Sequence, residues 1–177
     1  NAVQPNEAPL LEVKKLQVGF PHRVGAIFRK VTRFARGVDD VSIAIRRGEI
    51  LGLVGESGSG KSTLGRSIIR LVDAQSGEIL FNGKNLLAVS ETDFSSVRPQ
   101  IQMIFQDPYG SLNPRMTVFD TLAEPLLVHK LATQATVLEK VKALMDDVGL
   151  DRRFIRKYPH EFSGGQRQRI AIARAIA

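Results

Sequence analysis

The nine residues Gly55-Glu56-Ser57-Gly58-Ser59-Gly60-Lys61-Ser62-Thr63 constrain this chain more than any other stretch. They fit the pattern G-x-x-x-x-G-K-[ST]. Before them runs an unbroken apolar segment, Ile50 to Val54; after them Leu64, Ile68, Ile69 and Val72 fall at helical spacing. The pattern predicts a strand covered on both faces, a glycine-rich loop and then a helix. Glycines let the backbone curl until successive N–H groups point at one place. The positive end of a helix beginning near Lys61 falls at that same place. Such a concavity suits the phosphates of a nucleoside triphosphate. Lys61 is placed to reach the β- and γ-phosphates, and the Ser62 hydroxyl is a hard oxygen ligand suited to Mg²⁺. Thr63 is placed for an α-phosphate. The competing reading, a glycine-rich turn with an incidental Lys and Ser, is disfavoured by the strand and helix on either side. The loop specifies a triphosphate and no particular reaction.

Hydrophobic periodicity organises the rest of the chain. Asn1 to Pro9 is polar with two prolines and reads as a linker or frayed end. Leu11 and Val13, then Leu16, Val18 and Phe20, predict a strand with a small irregularity between Leu10 and Phe20. Pro21 to Gly37 is basic and reads as a loop or a hairpin insertion. Asp39-Asp40 reads as a turn. Val41, Ile43 and Ile45 predict a half-buried strand ending at Arg46-Arg47-Gly48. Glu78 to Phe81 is a short strand closed by Asn82-Gly83, a strong hairpin signal. Ile101 to Phe105 reads as another apolar strand. From Val118 the texture is helical, with Val137, Val141, Leu144, Met145 and Val148 on one face and Gly149 as C-cap. A last helix runs from about Gly165.

A second glycine motif, Phe162-Ser163-Gly164-Gly165-Gln166, leads into Arg167 to Ala175. Ser163 reads as an N-cap, and the glycines permit close approach. It is either a second phosphate-binding element or a capped amphipathic helix. A second grip on phosphate makes sense where a nucleotide lies between two subunits.

Taken with the phosphate loop, this run resembles the ABC transporter ATPase family, whose signature reads LSGGQ; Phe162 stands in place of the leucine. Ile104-Phe105-Gln106-Asp107-Pro108, lying between the two motifs, is similar to the family's Q-loop. The segments Pro108 to Thr117 and Tyr158 to Ser163 look like those of the oligopeptide/dipeptide importer branch, as does the basic insertion. The resemblance extends from about Leu10 to the end.

It implies an α/β fold: a P-loop NTPase with a RecA-like core, an antiparallel β-subdomain and a helical subdomain, the C-terminal part of the core being missing. The expected division is residues 1–9 as linker, 10–117 as β-subdomain and P-loop core, 118–161 as helical subdomain, and 162–177 as signature and following helix. It also implies ATP and Mg²⁺ as ligands. The loop Gly55, Glu56, Ser57, Gly58, Ser59, Gly60, Lys61, Ser62 and Thr63 would hold the phosphates. Ser62 and Gln106 would meet Mg²⁺, Gln106 also approaching the attacking water as a catalytic residue. Ser163, Gly164, Gly165 and Gln166 would grip a partner's nucleotide. An aromatic near the end of the family's first strand stacks on adenine; Phe20 is the matching position and is equally readable as a core residue. The implied partners are a second ATPase subunit, identical or not, and transmembrane permease subunits, with a solute-binding protein met indirectly. The implied place is the cytoplasmic face of the inner membrane, peripherally attached.

The family's Walker B acid, catalytic Glu and switch His follow the signature helix. Here no carboxylate follows Glu161. The expectation is that these residues alone bind nucleotide weakly without turning it over, and expose a sheet edge and apolar surface. Ala143-Leu144-Met145-Asp146-Asp147 mimics a Walker B strand, but its helical spacing predicts a helix end. His22, His129 and His160 share no metal-ligand spacing and read as surface or capping residues.

Composition narrows the alternatives. No apolar stretch approaches the roughly 18 residues of a membrane-spanning helix, and with no Cys there is no disulfide framework. The net charge of +7 suggests an anionic partner, or an excess that acidic residues elsewhere would offset. The basic residues are scattered rather than gathered in a stripe. A soluble ABC protein acting on nucleic acid or ribosomes is one alternative, opposed by the importer-like segment after Gln106, so no nucleic-acid partner is expected. A non-hydrolysing nucleotide-binding module is another.

Overall fold

Alternation between Leu11 and Ile45 is realised as two long antiparallel strands in a computed structural model that describes residues 8–24, 31–107 and 110–177. The polar residues 1–7, the tip 25–30 of the basic insertion, and Pro108-Tyr109 of the importer-like segment lie outside the described residues. The chain divides into two units, Asn1–Arg98 and Pro99–Ala177.

In the first unit, β1 (Leu11–Val24) pairs with β2 (Val31–Ile45), with β3 (Ser76–Phe81) on its other side and β4 (Lys84–Asn85) at the edge, giving the order β2-β1-β3-β4, all antiparallel. The basic stretch is thus a hairpin in its described part, with Val24 opposite Val31. The irregularity in β1 is a bulge. Val13 and Leu16 are three positions apart, while their partners Ile43 and Val41 are two apart. Lys15, at φ 47, is the extra residue. It returns Leu16 and Val18 to the buried face already holding Val13. A complementary bulge lies in β2, where Asp40 stands at φ 52. Asp39-Asp40 therefore sits inside a continuous strand and is no turn before one. Gly77 faces the β1 bulge at φ 100, where a Cβ would lie 2.6 Å from the Lys15 carbonyl oxygen. Only glycine fits there.

The hairpin expected at Asn82-Gly83 is present, with φ 49 and 76. Two consecutive positive φ values are the mark of a type I′ turn, whose twist suits antiparallel strands. Ile79, Phe81 and Leu86 are buried beneath it. The helix α1 (Lys61–Ile68) is shorter than its apolar spacing suggested and buries Leu64 and Ser67. The short α2 (Glu91–Ser95) is capped by Ser90 and buries Phe94.

Two expected strands are not formed. Ile50–Val54 has no strand structure, and Ile50 and Val54 are 96% and 94% exposed. Ile101–Phe105 is likewise irregular, with Ile104 exposed. A strand exists by hydrogen bonding to a neighbour. Among the described residues none pairs with either segment, so apolar content alone does not make them strands.

The second unit is helical. Thr117 and Asp120 form a reciprocal capping box at the start of α3 (Val118–Val128). Two further amides of its first turn donate to the carbonyls of Lys157 and Ile155. The helix α4 (Val137–Asp147) buries Val137, Val141, Leu144 and Met145, the face its spacing predicts. Gly149 follows it at φ 66, with Leu150 N–H returning to the Met145 carbonyl, a C-terminal cap requiring a left-handed residue. The helix α5 (Gly164–Ala175) completes a core of Leu122, Leu126, Val141, Met145, Phe162 and Ile170. Phe162 packs edge-on against Phe154 at 5.7 Å.

Candidate functional site

The run that singled out the phosphate loop adopts the geometry its glycines allow. Gly58 and Gly60 have φ 83 and 93, and Gly60 is the N-cap of α1. No side chain caps the helix, and no carboxylate stands in its first turn. Its leading amides therefore remain available to a ligand, and the helix dipole is unopposed there. A Cβ on Gly60 would come within 2.1 Å of the Gly37 carbonyl oxygen, so β2 presses directly on the loop. Lys61 folds back over it: its Nζ donates to the carbonyls of Gly55 at 2.6 Å and Glu56 at 2.5 Å, and to Ser59 Oγ at 3.1 Å. The loop rests on apolar side chains: a cavity of about 220 Å³ is lined by Val38, Val41 and Leu64 together with Gly55, Ser59 and Lys61. Such a cradle, with its ammonium and free amides, fits a polyphosphate. Ser62, exposed at the second helical position, presents a hydroxyl of the kind a hard cation takes.

Phe20, in β1, is 45% exposed, which removes the core reading. A Cβ added to Gly37 would lie 2.8 Å from its ring and 3.1 Å from Thr63 Cγ2. The ring therefore lies beside the loop's helix, in the same unit as Gly55 to Thr63, with its remaining surface open. Gly37 was not legible as a site residue. Its only signal is a glycine inside a strand, which marks close backbone approach.

Gln106 and the residues 163–166 belong to the second unit. Gln106 is exposed in an irregular segment. Ser163 caps α5 in a box with Gln166: the Gln166 amide donates to Ser163 Oγ at 3.3 Å, and the Ser163 amide donates to Gln166 Oε1 at 3.0 Å. Gly164 and Gly165 are exposed, with open space where a Cβ would stand. Two arginines hold this helix start, and spacing gave no hint of either. Arg167 Nε donates to the Phe162 carbonyl at 3.0 Å; Arg169 Nη1 donates to two carbonyls just past the end of α4, Val148 at 3.2 Å and Gly149 at 2.9 Å.

The segment Ala143 to Asp147 is the end of a helix, as its spacing predicts. Asp146, next to last in α4, accepts from Arg152 Nε, whose single N–H is shared between Oδ1 at 2.9 Å and Oδ2 at 3.0 Å. That hydrogen-bonded guanidinium holds its carboxyl below the usual aspartate range. His129 is the C-cap residue of α3, and the His160 ring stacks on Tyr158 at 5.7 Å. The His22 side chain lies outside the description. Among the described residues no cluster of His, Cys, Asp and Glu could hold a metal ion.

Residues 38–177 match the ABC transporter family. The oligopeptide transport ATP-binding protein OppF of Bacillus subtilis (strain 168) is 53% identical over 170 residues, which are 95% of this chain and 53% of that protein. The glutathione import ATP-binding protein GsiA of Escherichia coli (strain K12) is 50% identical over 169 residues, 96% of this chain and 27% of that one. Among solved structures, the dimeric post-hydrolysis state of the ATP-binding cassette MJ0796 bound to ADP and Pi superposes with a TM-score of 0.80 at 25% identity, covering 94% of this chain and 69% of that one. The cbiO1 protein of Clostridium perfringens, part of the ABC transporter complex cbiONQ, gives a TM-score of 0.74 at 25% identity, covering 96% and 62%. The chain spans about half the length of OppF and about a quarter of GsiA.

Proposed function

Since this chain belongs to the ABC transporter family, we propose that it is the ATP-binding portion of a transporter ATPase that powers import of peptides or related small solutes. The observation that carries the proposal is the phosphate loop: an uncapped helix start, two left-handed glycines and one ammonium converge on one small concavity. The peptide assignment is supported by the two importer relatives near 50% identity.

In this reading the amides of Gly58 to Ser62 and the Lys61 ammonium bind the triphosphate and neutralise its charge. Phe20 offers its open ring to adenine. Mg²⁺ would be held by Ser62 and Gln106, and when bound it supplies charge neutralisation across the terminal phosphates. Ser163 to Gln166 present a second helix start to the nucleotide of a second ATPase subunit, so that closure needs two copies or two related subunits. The MJ0796 cassette is described as dimeric with ADP and Pi bound, which is consistent with such closure. Hydrolysis is proposed with Gln106 approaching the attacking water. Transmembrane permease subunits, an indirect solute-binding protein and a peripheral place at the cytoplasmic membrane face complete the proposal. Nucleic acid has no part in it.

The test is ATP titration of the native gene product against Lys61→Ala. Hydrogen bonds to a charged group contribute about 1.5–3 kcal/mol each, so the variant should lose affinity by about 10-fold or more. Equal affinity in the two proteins would refute the site. Stimulation of ATP turnover by reconstituted permease subunits with a peptide-loaded binding protein would then support the transport role.

A further inference from the structure

A lysine ammonium has three N–H donors and no acceptor. In this chain the phosphate loop itself takes all three: Lys61 Nζ reaches the Gly55 carbonyl at 2.6 Å, the Glu56 carbonyl at 2.5 Å and Ser59 Oγ at 3.1 Å. Two of these acceptors are backbone groups fixed by the turn. The third is a side chain drawn over the loop, so close that a Cβ on Gly55 would stand 2.8 Å from Ser59 Oγ. Ser59 is also tied at its base, its amide donating to the Glu56 carbonyl at 3.2 Å.

We infer that the Ser59 hydroxyl is a placeholder for a phosphate oxygen, occupying the third Lys61 donor until a ligand displaces it. This rests on the ATP reading of the same loop and adds to it a residue that sets affinity. The contact to Ser59 is the one that yields, for three reasons. It is the longest of the three, its acceptor is a side-chain hydroxyl rather than a backbone carbonyl, and it hangs on a single rotatable bond at an exposed position. After displacement the hydroxyl is received by water, whereas a displaced carbonyl would have to carry the backbone with it. The loop is thus divided between a self-satisfied form and a form with the third donor free. Apparent affinity is reduced by the fraction of the loop in the self-satisfied form.

Ser59→Ala removes the placeholder while leaving backbone, charge and glycines unchanged. A typical intramolecular hydrogen bond, exchanged for one to water when it breaks, shifts an equilibrium by about twofold to tenfold. The expected result is that much tighter binding, both of ATP and of inorganic tripolyphosphate, because Lys61 meets only phosphate. Ser59→Thr keeps the hydroxyl and should retain the native affinity. The measurement is calorimetric titration of the native gene product and the two variants with each ligand, with melting temperatures confirming that all are folded. Unchanged or weaker binding by Ser59→Ala overturns the inference, as does a gain for ATP that tripolyphosphate does not share. If the native protein binds neither ligand, or Lys61→Ala binds as well as the native protein, the ATP reading fails instead.

Discussion

Two glycines of one loop offer a measurement of how much the approach of β2 contributes to it. Gly58 and Gly60 both have left-handed backbone, at φ 83 and 93. A Cβ on Gly58 would meet nothing within 4 Å, whereas one on Gly60 would meet the Gly37 carbonyl oxygen at 2.1 Å. Gly58→Ala therefore carries backbone strain alone, about 1–3 kcal/mol for a non-glycine residue in such a region. Gly60→Ala carries the same strain plus an overlap that a strand backbone cannot relieve cheaply, adding about 1–3 kcal/mol by analogy with overpacked cores. At about 1.4 kcal/mol per factor of ten, Gly60→Ala should bind ATP about 5- to 150-fold more weakly than Gly58→Ala, itself weakened. Calorimetric titration of the two variants and the native protein with ATP, beside thermal melting to show that the rest is folded, makes the comparison. Equal losses in the two variants would refute the claim that Gly37 bears on the loop. Native affinity in Gly60→Ala would refute the loop geometry itself.

Other outcomes follow from the packing. Phe162→Ala empties a nearly fully buried site against Phe154 and should cost about 3–5 kcal/mol in denaturant unfolding. Arg152→Ala should return the Asp146 carboxyl to its ordinary range, followed by carboxyl resonances through an acid titration. Because the folded pKa lies below the usual 3.8, the contribution of the pair is complete above that value and fades as pH falls through the folded pKa; the variant should be insensitive there. Glu91 is paired with both Arg70 and Arg98, whose guanidiniums lie 4.6 and 5.2 Å from the Phe94 ring centre. Glu91→Gln should lower the melting temperature in dilute buffer more than in molar salt, since exposed pairs are screened.

What the sequence disclosed was local. Asn82-Gly83 fixes a hairpin by the φ values those two residues tolerate, and Ser163 with Gln166 closes a capping box within four residues. The phosphate loop is equally self-contained, its glycines, lysine and helix start all lying within nine residues. The face of α4 could be read from spacing because its register repeats every turn. Ile50–Val54 and Ile101–Phe105 resisted, since strand formation is decided by a remote neighbour that an apolar run does not name. Asp39-Asp40 misled for a related reason: a bulge in β2 exists only to match one in β1, so the pair reads as a turn when taken alone. Arg169 and Gly37 act through the backbone of segments about twenty residues away or more, beyond the reach of periodicity.

The bare run Ile50-Leu51-Gly52-Leu53-Val54 carries a consequence for how such a protein is made. Five uncharged residues, four of them strongly apolar, standing clear of the sheet that the described residues form are what chaperones bind and what other nascent chains stick to. The run immediately precedes the phosphate loop. Timing during synthesis then matters as much as equilibrium, since the run is at risk from the moment it emerges for as long as nothing pairs with it. Slowing translation there, or depleting chaperones, should reduce the yield of protein able to bind nucleotide before it alters the properties of the molecules that survive.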